Sequence, residues 1–308
     1  MGAGVLWPVQ LHRSAPVLLA VVVLAAGCGQ DAAREPDVEM LDGVVMSELV
    51  LPLDAYRTSD DEAGQVVSEA WSTVFHQCMR SFGFAQEAAG PDQARELQGN
   101  SRLYGLVDLD HARTEGYTNP LIDRQPSMPG APVPELPQEW YAVARGHIAS
   151  FAEREVPEGG CIAEAHRTLS AGAPAGADLP LADRLAGDAY IRAEQDSRVR
   201  AAIAAWRDCM TAKGYNYADP WQANNDGTWS ATPPEQRPSD REVLVATADV
   251  ECKIEVDLID IWASVHIAYE LLLIEQNAEA LTLIKEYREV ELANALAVLE
   301  GRHSLSVP

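Results

Sequence analysis

HQCMRSFGF, residues 76–84, returns in altered form as RDCMTAKGY, residues 207–215. Each stretch has Cys-Met, three variable residues, a glycine and then an aromatic residue. Spacings of three and four put the apolar residues around each stretch on one helix face. A glycine after the last turn is typical of a left-handed helix end, against which the aromatic residue can fold back. The repeat therefore predicts two similar core helices, with the faces Val67, Trp71, Val74, Cys78 and Val199, Ile203, Trp206, Met210.

The cysteines of the repeat have later counterparts in similar surroundings. CIAE occupies residues 161–164 and CKIE occupies residues 252–255. Four cysteines allow three pairings, and the repeat favours Cys78 with Cys161 and Cys209 with Cys252. Each bond would close a long loop and stabilise the fold by roughly 4 kcal/mol in the chain-entropy model. The alternative is a soft metal such as copper at the Cys-Met pairs.

The N-terminus has the pattern of an export signal. Residues 15–26 form an apolar run that is too short to cross a bilayer, and the sequence LAAGC follows at residues 24–28. This resembles a bacterial lipobox, in which cleavage between Gly27 and Cys28 leaves a lipid-modified cysteine at the new N-terminus. We expect a signal peptide at 1–27, a flexible tether at 28–42 and anchoring to the outer face of the cytoplasmic membrane. The alternative is an ordinary signal peptide with Cys28 present by chance.

Abundant Ala and Leu with few aromatic residues favours helices over a β-sandwich. Leu-Pro-Leu opens two regions, at residues 51–53 and 179–181, and SAGAPAGAD at 170–178 separates them. We therefore predict a mostly α fold of two disulfide-stapled helical halves, residues 43–172 and 173–308, related by a degenerate internal repeat. Additional helices are expected around Leu109–Glu115 and from Gln138 to Arg154.

The C-terminal region predicts a long helix. Ser239 and Glu242 form a capping box, and no Gly or Pro follows until Gly301. One face of this helix carries a regular row of apolar residues, the seam, which is interrupted at Glu275 and Glu279. We therefore expect a buried helix to about Ile274 and a projection or bend around Asn277. Apolar residues then resume, and they would either fold back or bind another protein of the cell envelope. The seam consists of Ile254, Leu258, Ile261, Val265, Ala268 and Leu272.

Residues 219–238 read as a long loop with two tryptophans, Trp221 and Trp229. Aromatic rings on a loop can stack on sugars, which would make the protein a binder of cell-wall glycan. The alternative is that the two rings fill the core beneath the loop.

The formal net charge of −24 excludes nucleic acid as a partner, because its phosphates would be repelled. No HExxH, GxSxG, SxxK or P-loop motif occurs, and no metal, cofactor or catalytic residue is indicated. A hydrolase with an unrecognised site is the third hypothesis, after a non-catalytic binding or accessory protein and a glycan binder.

Several short motifs resemble a family of uncharacterised secreted lipoproteins from actinobacteria. The similarity covers most of residues 65–285, and it implies export and the fold but no activity. The motifs are Asn100-Ser-Arg-Leu-Tyr-Gly105, Gly116-Tyr117, Gly159-Gly-Cys161 with Glu164-Ala165, Ala248-Asp-Val-Glu-Cys252 and Ile274-Glu-Gln-Asn-Ala-Glu-Ala-Leu281.

Overall fold

The computed structural model describes residues 35–57, 62–84, 100, 102–118, 136–230 and 237–301. The predicted signal peptide, the cleavage site at Gly27 and Cys28, and most of the predicted tether lie outside these residues. The compact body begins at Pro36 and is mostly helical, as predicted. No helix in the described ranges combines the length and apolarity needed to cross a membrane.

The helices and strands follow one another along the chain as follows. A 3-10 helix (Pro52–Tyr56) precedes α1 (Glu62–Ser81), α2 (Leu109–Glu115), α3 (Gln138–Arg145), the strands β1 (Ser150–Phe151) and β2 (Arg154–Glu155), α4 (Gly160–Leu169), α5 (Leu181–Gln195), α6 (Ser197–Ala212), α7 (Pro220–Asn224), α8 (Gly227–Ser230), α9 (Asp240–Glu255), α10 (Leu258–Gln276) and α11 (Ala278–Leu299).

The larger core lies among α2, α5, α6, α9 and α10, and the 3-10 helix packs on α5 and α10. Trp206, Trp262 and Tyr104 are its largest fully buried aromatic side chains. Burial of such rings contributes strongly to stability because each removes roughly 150–250 Å² from water. Early and late parts of the chain meet here, since α2 contacts α9 across more than a hundred intervening residues.

The smaller core is built by α1, α3, α4 and α11. Val74 and Phe75 of α1 pack against Val143 of α3 and Cys161 of α4. The ring of Trp71 stacks on Phe75 with centroids 5.1 Å apart. The face that helical spacing predicts for α1 thus lies inward, although Val67 and Trp71 are only partly buried.

Both Cys-Met helices end in the same way. Gly83 and Gly214 have φ values of +87° and +89°, in the left-handed region that glycine adopts without strain. The amide of the following aromatic residue donates to the carbonyl of the Cys-Met methionine, from Phe84 at 3.1 Å and from Tyr215 at 2.9 Å. The predicted helix ends are confirmed.

Both predicted disulfides are present. Cys78 on α1 bonds to Cys161 on α4, and Cys209 on α6 bonds to Cys252 on α9. The Cα atoms are 5.6 Å and 5.7 Å apart, within the usual range for a disulfide. Since all four thiols are consumed, the alternative of a copper site at the Cys-Met pairs is wrong.

The long C-terminal helix is interrupted twice. Ser239 caps α9 as predicted, with its hydroxyl accepting from the Glu242 amide at 3.1 Å. The first break falls at Asp257, which has a left-handed backbone (φ +51°), and the seam residue Ile254 before it is exposed. The second falls at Asn277, where we expected a projection or a bend, and it is a bend. After it α11 packs on α1 and α4.

One predicted helix is too long. We expected Gln138 to Arg154 to be helical, but α3 ends at Arg145 and the strands β1 and β2 follow as a short antiparallel pair. The cause is Gly146, which is left-handed (φ +69°) and approaches the backbone of Gly159 and Gly160 so closely that a Cβ atom would not fit.

Candidate functional site

A fully buried ion pair lies at the centre of the larger core. Lys253 Nζ donates to Asp249 Oδ2 at 3.0 Å and to the Leu106 carbonyl at 2.7 Å. Asp249 also accepts from Trp206 Nε1 at 3.0 Å and from the Tyr117 hydroxyl at 3.2 Å. The lysine and aspartate side chains are 1% and 0% exposed. One charged pair thus connects α9 to α6 and to the segments on both sides of α2.

Burial governs the titration of this pair. Desolvation raises the pKa of Asp249, and the ammonium of Lys253 opposes that shift. Desolvation lowers the pKa of Lys253, opposed by Asp249. Desolvation also raises the pKa of Tyr117, so its hydroxyl stays protonated and donates to the carboxylate. These groups meet one another's hydrogen-bonding needs away from water, so we assign the ion pair a role in stabilising the fold.

A second buried polar cluster lies on α10. His266 Nδ1 is 2.9 Å from the Tyr104 hydroxyl, and His266 Nε2 is 3.5 Å from Glu270 Oε1. Glu270 Oε2 accepts from the Leu53 amide at 2.8 Å, which holds the 3-10 helix on α10. Three aromatic rings pack together beside the histidine: Tyr190 of α5 stacks on Tyr104 and on Trp262 of α10, and the two tyrosine rings contact the imidazole.

An open cleft lies between residues 43–47 and the junction of α9 and α10, with a volume of about 490 Å³. Clefts of roughly 300–1,000 Å³ hold small molecules in many proteins. Lys253 lies at its wall, together with Asp108 and Asp257, and Val45 and Ile254 are exposed beside it. The cleft therefore offers apolar contact and negative charge, which suits a small amphipathic or cationic ligand.

The segment before the cleft is attached to the body. Asp260 accepts from the amides of Gly43 and Val44 at 2.9 Å each, and Ser264 Oγ accepts from the Leu41 amide at 2.8 Å. Arg198 donates to the Pro36 carbonyl at 3.0 Å. Residues 36–42, which we expected to belong to a flexible tether, therefore lie along α6 and α10.

The two tryptophans proposed for glycan binding pack into the protein. Trp229 is buried, stacks on Tyr117 with centroids 5.4 Å apart and donates to the Asn224 carbonyl at 3.2 Å. Trp221 is half-buried and donates to the Tyr190 hydroxyl at 3.1 Å. The expected long loop is partly helical, because α7 and α8 carry these residues. This packing does not favour sugar stacking.

Sequence reasoning missed the buried charged residues. Asp249 and Lys253 are four residues apart on α9, as are His266 and Glu270 on α10. That spacing places each pair on one helix face and was the available signal. Within the described ranges, no group of three or more His, Cys, Asp or Glu side chains could hold a metal ion.

Comparisons with known proteins identify no relative. No protein-family model matches the chain, and no curated protein or solved structure matches it either. The class to which it can be assigned is therefore set by its own fold, a disulfide-linked helical protein, and the resemblance to actinobacterial lipoproteins stays a prediction.

Proposed function

We propose that this protein is an exported lipoprotein, anchored through Cys28 to the outer face of the cytoplasmic membrane. It acts there as a non-catalytic binding or accessory protein of the cell envelope. The observation that carries the proposal is the pair of disulfides, because disulfides form and persist in oxidising compartments outside the cytosol. The lipobox-like sequence before Cys28 supplies the anchor.

The region that supports binding is the cleft beside residues 43–47. Its size suits a small molecule, and the negative charge of the chain favours cations or basic peptides over anions. The apolar stripe of α11 offers less support for a protein partner, since Leu281 and Ile284 are buried against the body. An envelope protein that binds the C-terminal helix would have to use its outer face, where Leu296 is exposed.

We also propose that the two Cys-Met helices descend from one duplicated unit. Three similarities support this: the left-handed glycine, the amide bond back to the methionine carbonyl, and a disulfide to a later Cys-x-x-Glu segment. The division into halves at residues 172 and 173 belongs to the same proposal. The proposal concerns the ancestry of the chain and not its present domains, because each core of the present fold contains residues from both halves.

Anchoring is tested with Cys28→Ala in a bacterial host that processes lipoproteins. The variant should lose its lipid label and move from the membrane fraction to the soluble exported fraction. The matched control is the double variant Cys78→Ala, Cys161→Ala, which removes two other cysteines and should keep the label. Retention of Cys28→Ala in the membrane would refute the anchor. Free thiols at all four body cysteines of the native protein would refute export.

A further inference from the structure

His266 and Glu270 form a buried pair one turn apart on α10. Their side chains are 2% and 1% exposed, with 3.5 Å between His266 Nε2 and Glu270 Oε1. Within the described part of the chain, neither of these two atoms has a hydrogen bond of good geometry. Two facing acceptors would repel each other in a dry site, so a hydrogen lies between them, either on the carboxyl group of Glu270 or on Nε2 of the imidazole.

The groups that face the pair come from several elements. The 3-10 helix contributes Asp54, and Arg57 follows directly after it and pairs with Asp183 of α5 at 2.7 Å. Tyr104 lies against His266 Nδ1, and Tyr190 of α5 packs on the imidazole ring with centroids 5.7 Å apart. Desolvation is the strongest effect that disfavours a negative charge on Glu270. The negative charge of Asp54 disfavours it as well, whereas Arg57 favours it.

We propose that His266 and Glu270 share one proton, and that its loss loosens the contact between the 3-10 helix and α10. The link is the Leu53 amide, which donates to Glu270 Oε2. When the shared proton leaves, a carboxylate is left in a site that excludes water. The protein relieves that cost by letting water reach Glu270, and the nearest route is separation of Leu53 from α10.

The titration of both groups agrees with this inference. Burial raises the pKa of Glu270 from 4.5 to about 7, and burial lowers the pKa of His266 from 6.5 to about 4. Between those values the folded pair holds one proton and no net charge. The contribution of Glu270 to stability is present below pH 4.5 and is lost as the pH rises through about 7. The contribution of His266 to stability is present above pH 6.5 and is lost as the pH falls through about 4.

The consequence is a contact that is tightest at mildly acidic pH. A protein on the outer face of the membrane meets the pH of its surroundings, and this biological setting rests on the proposed function. The proton-sharing pair itself does not, because it is tested on purified protein, so the two proposals can fail separately.

The test is hydrogen exchange of the peptide that contains Leu53, corrected for the intrinsic pH dependence of exchange. In the wild-type chain without its signal peptide, opening should increase about thirtyfold between about pH 5.5 and 8.5, from the change of pKa between closed and open states. Glu270→Gln imitates the protonated side chain and should remove most of that increase. Glu275→Gln removes one exposed carboxylate from the same helix and should leave it unchanged.

Equal pH profiles for the wild type and Glu270→Gln would overturn the proposal. If Glu270→Gln does not fold, infrared spectroscopy of the wild type decides instead. A carbonyl band of a buried carboxylic acid should be present at about pH 6 and absent at about pH 9. A spectrum without that band at pH 6 would also overturn the proposal.

Discussion

Replacing Lys253 by methionine should cost this protein a large part of its stability. The change removes two hydrogen bonds, to Asp249 and to the Leu106 carbonyl, and leaves a carboxylate that is 0% exposed without its counter-charge. Breaking a buried pair in this way typically costs about 3–5 kcal/mol. Asp249 can avoid an unpaired buried charge by taking up a proton. At pH 7 that costs about 4 kcal/mol for a group of ordinary pKa near 3.9, and at pH 5 only about 1.5 kcal/mol.

The expected loss for Lys253→Met is therefore about 5 kcal/mol at pH 7 and about 2–3 kcal/mol at pH 5, once the lost bond to the Leu106 carbonyl is included. The double variant Asp249→Asn, Lys253→Met contains no buried charge, so its loss should be similar at the two pH values. Urea unfolding followed by circular dichroism measures both.

Lys213→Met serves as the control, because Lys213 carries the same charge in an exposed salt bridge with Glu251. Its loss should stay below about 1 kcal/mol. The interpretation fails if Lys253→Met is no more destabilising than Lys213→Met, or if its loss does not depend on pH.

Two further predictions concern backbone packing and α11. Gly160→Ala should lower stability by about 3–5 kcal/mol, because its Cβ would overlap the backbone of Gly146, whereas Gly172→Ala, at an equally left-handed but open position, should cost only about 1 kcal/mol. Urea unfolding measures both, and equal losses would contradict the overlap. Truncation after Ile274 should lower the melting temperature by more than about 10 °C, because it removes a helix that covers α1. An unchanged melting temperature would instead favour a role of α11 in partner binding.

The local pattern of the sequence predicted those parts of the fold that depend on neighbouring residues. Spacings of three and four identified the inward face of α6, and Gly83 and Gly214 marked two helix ends. The disulfides followed from similarity between the two cysteine surroundings. The helix face and the helix ends depend on residues within one or two turns of each other, where side-chain periodicity and backbone preference act directly. The disulfide pairing joins distant residues, and it could be predicted only because the two pairs have similar local sequences.

What the sequence did not predict depends on contacts between distant residues. Asp257 breaks the long helix without a glycine or proline, in the left-handed region that aspartate adopts more readily than most residues. Gly146 ends α3 because the backbone of Gly160 lies against it. The burial of Lys253 could not be predicted either, because a lysine on a helix is usually solvated and the other partners of the Asp249–Lys253 pair lie on three other segments.

The packing of α11 on α1 has a consequence for how the chain becomes folded. The two helices are far apart in sequence. α3 and α4 can cover part of the inner face of α1 once they are made, but the part around Ala70 that meets α11 stays uncovered until α11 has been synthesised. Bringing them together closes a loop of about two hundred residues, which slows folding although its entropic cost grows only with the logarithm of length. A nascent chain would therefore expose this apolar part of α1 until α11 is available to cover it.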